Sequence, residues 1–150
     1  MEVPNRTGNY QFKKRLNFSL TTIIYSWLFF IMSKYLEQIA INWFEAFNTK
    51  DLERLLALYH NEAKHFSPKL KLRQPETNGL ISGKEAMRIW WQDAFDRLPS
   101  LHYKVTSITA NSDRVFMEYI RQVNNEEDMH IAEVLEIKDN QIIFSRVYHG

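Results

Sequence analysis

A chain of 150 residues with a formal net charge of +1 and no cysteine excludes several classes of protein at once. The length suits one domain with a buried core, and the basic residues form no stripe, so a nucleic-acid partner is not expected. Without cysteine there is neither a disulfide scaffold nor thiolate chemistry. What remains is a small globular domain rich in aromatic residues, with 10 Phe, 7 Tyr and 4 Trp.

Residues 1–31 differ in character from the rest of the chain. Lys13-Lys14-Arg15 precede an apolar run over residues 16–32, an order typical of a signal peptide. Polar residues interrupt the run, which is shorter than the ~20 apolar residues of a spanning helix. Three interpretations stay open: an over-long translation start, an anchor or export signal in residues 13–32, and an ordinary ordered extension. We predict a cytoplasmic protein unless residues 13–32 act as an anchor or export signal.

The domain itself is predicted to span residues 32–150 and to begin with two helices. Apolar side chains recur at helical spacing over residues 33–49, and a shorter stripe over 52–59 follows, with Thr49 as its expected N-cap. Ser82-Gly83-Lys84-Glu85 has the pattern of a capping box, a hydroxyl followed three residues later by a carboxylate. It predicts a third helix that ends before Pro99.

Strand-like segments occupy most of the remaining sequence. A short segment over residues 63–67 precedes a loop over 68–81, which is long enough to cover a site. Four further segments follow, over 101–110, 113–123, 130–138 and 141–149. Two helices, a strand, a helix and then a meander of strands is the order of an α+β domain. We predict helices packed on one face of a strongly bent antiparallel sheet.

The last two strands form a predicted hairpin around Lys138-Asp139-Asn140-Gln141, and its register decides which side chains share a face. A two-residue loop would place Glu133 opposite Arg146, whereas a three-residue loop would place it opposite Ser145. We predict the second register. One face then carries apolar side chains and a few isolated polar ones, as a ligand pocket does: Ile131, Glu133, Leu135, Ile137, Ile143, Ser145, Val147 and His149.

Four stretches carry a resemblance to a known family: residues 43–52 (WFEAFNTKDL), 58–66 (LYHNEAKHF), 83–86 (GKEA) and 146–149 (RVYH). Over about residues 33–149 the chain resembles the nuclear-transport-factor-2-like superfamily, and within it the SnoaL-like polyketide cyclase branch. The resemblance implies a cone-shaped, curved antiparallel sheet wrapped around a pocket, with about three helices packed on it. Members include isomerases, cyclases, epoxide hydrolases and non-catalytic binders, so the fold alone does not define a reaction.

The resemblance also implies which residues face the pocket. They are the odd-numbered residues of the hairpin and, on the preceding strand, Val115, Met117, Tyr119 and Arg121. In steroid isomerases of the superfamily, a protonated acid on the penultimate strand helps to hold a developing oxyanion. Glu133 occupies the matching position, which makes it the first candidate for a functional acid.

Both catalytic sets that the resemblance suggests are incomplete in this sequence. Steroid isomerases have a tyrosine where this chain has Trp43, and a carboxylate before a proline where it has Ser67. In the Asp–Arg–Asp set of the epoxide hydrolases, the last Asp matches Val147, and the Arg and the other Asp match Tyr119 and Arg121, so this set is not intact. The sequence therefore lacks the complete residue set of either activity.

Glu133, Tyr119, Arg121 and His149 are the candidate catalytic residues. Glu133 is either a neutral pocket acid, with a pKa raised by burial, or the ionised partner of Arg121; we favour the ion pair because an arginine keeps its charge. His149 is a candidate general base or a solvated residue at a strand end. Further ligand-binding residues are predicted: Trp43, His65, Ser67, Trp90, Met117, Leu135, Ser145 and Val147.

We expect neither a metal nor an organic cofactor, because His65 and His149 have no short-spaced partner and no phosphate-binding loop is present. The predicted function is binding of a small hydrophobic molecule, with cofactor-independent acid–base chemistry of isomerase, cyclase or hydrolase type. The alternative is a non-catalytic binding or dimerisation module. We expect a homodimer through the even-numbered face of the sheet, which carries Phe116, Ile120, Val134, Phe144 and Tyr148.

Overall fold

A computed structural model of the protein describes residues 19–150. The basic cluster at residues 13–15 and the first residues of the apolar run lie outside this range. The helices are α1 (Leu20–Asn48), α2 (Leu52–Ala57), α3 (Pro68–Arg73) and α4 (Lys84–Arg97). The strands are β1 (Tyr59–Phe66), β2 (Leu80–Ser82), β3 (His102–Ala110), β4 (Arg114–Gln122), β5 (Met129–Lys138) and β6 (Gln141–His149).

The six strands form one curved, open sheet in the order β2-β1-β6-β5-β4-β3. This confirms the α+β class and the cone-shaped sheet with helices packed on it. The sheet is mixed rather than wholly antiparallel, because β1 pairs with β6 in parallel while the other neighbours are antiparallel. The described residues form four α-helices where about three were predicted, because α3 folds within the expected loop over residues 68–81.

The first helix begins earlier than its buried stripe. The prediction placed its start at residue 33, but α1 is continuous from Leu20, where the Ser19 hydroxyl accepts a hydrogen bond from the Thr22 amide at 3.2 Å. Side chains from Leu20 to Met32 are exposed, and burial against the domain begins only at Leu36. Within residues 19–150, no helix has the length and apolar content that a membrane crossing needs.

Two predicted helix caps are wrong. Asp51, rather than Thr49, caps α2, since its carboxylate accepts from the Arg54 amide at 3.0 Å, while the Thr49 hydroxyl donates to the Glu45 carbonyl at 2.8 Å. Gly83, rather than Ser82, precedes α4, and it has a φ of +86° that favours glycine. Ser82 ends β2 instead of closing a capping box.

The hairpin between β5 and β6 has neither of the two registers that the sequence suggested. Asp139 and Asn140 form a two-residue turn with φ of 50° and 64°, and a bulge then shifts the pairing between Glu136 and Ile137. Glu133 consequently lies opposite Val147, and Leu135 lies opposite Ser145. The odd-numbered residues beyond the bulge still share the concave face, whereas Ile142 is fully buried in place of the predicted Ile143.

Aromatic side chains fill the space between α1 and the concave face. The Trp43 indole donates to the Tyr59 hydroxyl at 2.8 Å, and both residues are buried. Phe47 stacks on Trp43 at 5.1 Å between ring centroids and on Tyr103 at 4.2 Å. Part of this packing also forms one wall of the cavity described next, because Phe47 and Tyr103 line that cavity.

Candidate functional site

A cavity of about 330 Å³ lies between helices α3 and α4 and the concave face of the sheet. The volume is at the lower end of the range for small-molecule sites. Its apolar wall is largely aromatic, with Phe47, Trp90, Trp91, Leu98, Tyr103 and Tyr119 among its members. Its charged residues are Lys69, Arg73, Arg97, Arg121 and Glu126, with His149 beside them.

The structure brings half of the predicted site residues to this cavity and leaves the others beneath it. The residues that line it are Ser67, Trp90, Tyr119, Arg121, Val147 and His149. Those that are buried in the core without lining it are Trp43, His65, Met117, Glu133, Leu135 and Ser145. The division follows the strands, because the concave face is filled by side chains near the β5–β6 turn and opens towards the far end of β6.

Glu133 is a buried carboxyl group with an incomplete set of hydrogen bonds. Its side chain accepts a hydrogen bond from the Tyr119 hydroxyl to Oε2 at 2.8 Å. Its Oε1 has no hydrogen-bond partner within residues 19–150, and the residue is 1% exposed. Burial raises the pKa of Glu133 to about 7, although the bond from Tyr119 acts in the opposite direction. Near neutral pH a large fraction of Glu133 is therefore protonated.

The predicted ion pair between Glu133 and Arg121 is wrong. Arg121 Nη1 lies 2.7 Å from Glu126 Oε2, and the Arg121 side chain is only 8% exposed. The β4–β5 register explains the difference, because Arg121 lies opposite Met129, near the loop that carries Glu126, while Glu133 lies opposite Met117. The bond from Arg121 lowers the pKa of the Glu126 carboxyl, so Glu126 is the ion-pair partner of Arg121 although its own side chain is exposed.

Tyr119 connects the buried carboxyl group to the cavity. The residue lines the cavity while its hydroxyl bonds to Glu133. Burial and the neighbouring Glu133 raise the pKa of Tyr119 well above the usual value, so the side chain remains a phenol. Its ring is held by Tyr103 at 4.5 Å and by the edge of Phe44 at 5.3 Å between centroids. A rigidly held phenol is suited to donate a hydrogen bond to a bound molecule.

The two histidines of the predicted site have different environments. His149 is half-buried at the cavity, and partial burial followed by the charges of Lys69 and Arg121 lowers its pKa. A neutral imidazole at pH 7 can accept a proton. His65 is in the core, where Nδ1 lies 2.7 Å from the Ser145 hydroxyl and burial lowers its pKa to about 4. Residues 19–150 hold no cluster of three potential metal ligands.

The sequence interpretation missed several cavity residues. Lys69 and Arg73 lie on α3, inside the segment that was expected to be a loop over a site, so the length of that segment was the available indication. Trp91 and Arg97 come from α4, where the apolar stripe indicated packing only. Glu126 comes from a polar connection between β4 and β5, and its role depends on a contact across space.

Comparison with known proteins agrees with the fold. The family model of the SnoaL-like domain matches residues 40–144, more than half of the chain, and the protein therefore belongs to that family. None of the curated proteins compared with the chain matches it.

Solved structures show the same fold at low identity. A SnoaL-like protein of unknown function from Burkholderia thailandensis is 23% identical, with a TM-score of 0.71 over 78% of this chain and 95% of that chain. A candidate ketosteroid isomerase from Kribbella flavida is 16% identical, with a TM-score of 0.66 over 79% of each chain. A candidate polyketide cyclase from Sinorhizobium meliloti is 16% identical, with a TM-score of 0.63 over 74% and 94%.

Proposed function

We propose that this SnoaL-like domain binds a small, largely apolar carbonyl compound in its cavity and moves a proton on it without a cofactor. The observation that carries the proposal is the bond of 2.8 Å between Tyr119, which lines the cavity, and the buried Glu133. A carboxyl group with a pKa raised to about 7 is half protonated near neutral pH. It can therefore take part in proton transfer under physiological conditions.

The chemistry divides between two groups that line the cavity, His149 and Tyr119. His149, neutral at pH 7, would take a proton from the carbon next to the carbonyl group, because a free imidazole nitrogen is a base of suitable strength. The electron pair then moves to the carbonyl oxygen, which becomes an enolate. With Glu133 protonated, its O–H can donate to the Tyr119 oxygen, and the phenol proton is then available to the developing oxyanion. Return of the proton to another carbon would complete an isomerisation.

A test uses a simple bicyclic ketone as the probe. We expect the protein to accelerate the exchange of the α-protons of 2-tetralone in D₂O, followed by proton NMR. Tyr119→Phe removes the hydroxyl while it keeps the ring, so exchange should fall by about 10²-fold, the usual contribution of a positioned donor. Tyr148→Phe is the matched control, because Tyr148 is exposed on the other face of the sheet and its loss should leave the exchange rate unchanged.

The outcomes of this test separate binding from catalysis. If 2-tetralone quenches the fluorescence of the cavity tryptophans Trp90 and Trp91 but its protons exchange no faster than in buffer, the domain binds and the catalytic part of the proposal is wrong. Equal exchange by the wild type and Tyr119→Phe would also contradict it, since the proposed donor would then be dispensable.

The second candidate is a non-catalytic binding module of the same fold. The observation that favours it is the position of Glu133, which is 1% exposed and does not itself line the cavity. In that case the bond from Tyr119 orders the core and only the cavity wall contacts the ligand. Probe binding without any proton exchange is the result expected of such a module.

A further inference from the structure

The lining of the cavity carries more positive than negative charge. Four cations line it, Lys69, Arg73, Arg97 and Arg121, and we call them the basic rim. Two carboxylates lie among them, Glu126 and Asp93. For a chain whose formal net charge is only +1, the rim is a local concentration of charge. Such a concentration in a concave site attracts anions.

Asp93 forms ion pairs with two of the four cations of the basic rim. Its Oδ2 lies 2.8 Å from Arg97 and 3.9 Å from Arg73, and the bond from Arg97 lowers the pKa of the carboxyl group. These arginines are on α4 and α3 and are partly exposed. Both arginines are therefore paired with Asp93. They add to the positive potential of the cavity, but they are not free to bind a ligand directly.

Lys69 and Arg121 form the other half of the basic rim, and among the described residues the one carboxylate near both of them is Glu126. Arg121 is nearly buried, and within residues 19–150 its guanidinium makes one hydrogen bond, from Nη1 to Glu126. The only fully covered side-chain atom without a partner in that range is Glu133 Oε1, so the remaining nitrogens of Arg121 stay accessible from the cavity. Lys69 forms no ion pair with any described carboxylate, and burial, followed by the charge of Arg121, lowers its pKa.

Lys69 and Arg121 repel each other, and the single carboxylate beside them does not balance both charges. A bound anion would reduce this repulsion. A carboxylate accepts two hydrogen bonds from a guanidinium, and a lysine can add a third. The aromatic wall next to them, with Trp90, Trp91 and Tyr103, provides contact for a flat apolar body. The two cations and the aromatic wall together fit an amphipathic ligand with an anionic end and a flat apolar body.

We propose that the cavity takes an aromatic or polycyclic carboxylate, whose anionic end binds between Lys69 and Arg121 and whose ring system packs on the wall formed by Trp90 and Trp91. This inference rests on the proposed binding of a small molecule in the same cavity and specifies its chemical class. Glu126 is then a competitor of the ligand, because it occupies a donor of Arg121 in the free protein.

The test compares two probes of nearly the same shape, 2-naphthoate and its neutral amide, 2-naphthamide. Binding is measured by quenching of tryptophan fluorescence. We expect naphthoate to bind about tenfold more tightly than the amide, as a charge-assisted contact predicts, and its affinity to fall with added salt.

Matched variants separate the rim from general electrostatics. Lys69→Met and Arg121→Leu should each weaken naphthoate binding by about five- to tenfold and leave naphthamide within twofold. Lys71→Met and Arg114→Leu are the controls, because Lys71 is exposed on the same helix as Lys69, and Arg114 lies on the same strand as Arg121 but on its exposed face. Lys69 is half-buried, so its variant keeps the test valid if Arg121→Leu fails to fold.

Glu126→Gln provides a change in the opposite direction. Removal of the competing carboxylate should tighten naphthoate binding about threefold and leave the amide unaffected. Equal binding of naphthoate and naphthamide would overturn the inference while leaving the cavity a binding site for apolar molecules. Binding of neither probe at millimolar concentration would contradict the proposed binding function and this inference with it.

Discussion

Glu133 shows what a single residue can do to the stability of this domain. Its folded-state pKa of about 7 lies above the ordinary value of 4.5 for a free glutamate. The folded state therefore holds a proton that the unfolded state has lost between these values, and the stability contribution is complete below pH 4.5 and is lost as the pH rises through 7. The two pKa values correspond to on the order of 3 kcal/mol.

Glu133→Gln should be nearly neutral for the free energy of unfolding at pH 5 and should stabilise the protein relative to wild type at pH 8. The amide keeps an acceptor for Tyr119 and has no proton to lose. Urea unfolding between pH 5 and pH 8 measures the difference, with Glu118→Gln as the control because Glu118 is exposed on β4. A difference that does not change with pH would show that Glu133 is not the buried neutral acid described above.

His65 also changes the pH dependence of stability, so the effect of Glu133 is read from the difference between wild type and Glu133→Gln. Its folded-state pKa of about 4 lies below the ordinary value of 6.5 for a histidine, so its contribution to stability is present above pH 6.5 and is lost as the pH falls towards 4. The slopes of His65 and Glu133 have opposite signs between pH 4.5 and 6.5 and offset each other in the wild type. Subtraction of the Glu133→Gln curve removes the contribution of His65, because that contribution is common to both proteins.

At this scale the sequence predicts the burial of Glu133 but not its partner. Alternation along β5 is enough to place Glu133 between Ile131 and Leu135 on an inward face. The choice between ion pair and neutral acid depends on where Arg121 finds a carboxylate. That was decided by Glu126 in a connecting loop, and no periodic pattern predicts such a contact.

At the scale of elements, α1 combines two parts with different relations to the domain. Residues 20–32 are mostly apolar and exposed, while the part from Leu36 onwards packs on the sheet. We expect a protein that begins at Met32 to keep the thermal midpoint of the full chain. Ser33, whose hydroxyl donates to the Ala110 carbonyl at 3.2 Å, remains present in it.

Two single substitutions in α1 test the same boundary. Leu36 is 5% exposed and Phe30 is 56% exposed. Leu36→Ala should cost about 2–5 kcal/mol because it opens a cavity in the core, whereas Phe30→Ala should change stability by no more than about 0.5 kcal/mol. Thermal unfolding of both variants and of the shortened protein gives the comparison. A loss of several degrees on removal of residues 1–31 would contradict the boundary.

The boundaries of helices and strands show which structural features can be predicted from the sequence. The apolar stripe of α1 and the parity of β5 and β6 follow from burial, so they could be predicted. The cap of α2 could not, because Thr49 and Asp51 are both good cap residues and only the geometry of the turn selects Asp51. The bulge near Glu136 likewise depends on pairing of β5 with a second neighbour, since the Ile137 amide donates to the Asp113 carbonyl at 2.8 Å.

At the scale of the whole molecule, the even-numbered face of the sheet is the surface for which we propose a partner. Phe116 and Tyr148 are 41% and 48% exposed, and Ile120, Val134 and Phe144 are partly buried. We expect a homodimer through this face at micromolar concentration, measured by light scattering. An apolar surface on an otherwise charged sheet is typical of a self-association site.

Phe116→Glu should convert the dimer to a monomer, because it places a charge in the centre of the proposed contact. Ile89→Glu is the control, since Ile89 is an exposed apolar residue on α4, away from the sheet face. A wild-type mass equal to one chain would contradict the dimer and leave these apolar side chains facing solvent.

The strand order has a consequence for how the chain folds during its synthesis. β6 lies between β1 and β5, and the bond between His65 and Ser145 joins residues 80 positions apart. Until residues 141–149 leave the ribosome, β1 and β5 each present an unpaired edge, and such edges recruit other strands. Contacts of this sequence separation also slow folding. The nascent protein therefore depends on β6 to join two half-sheets, and chaperones that shield exposed strand edges would act before β6 emerges.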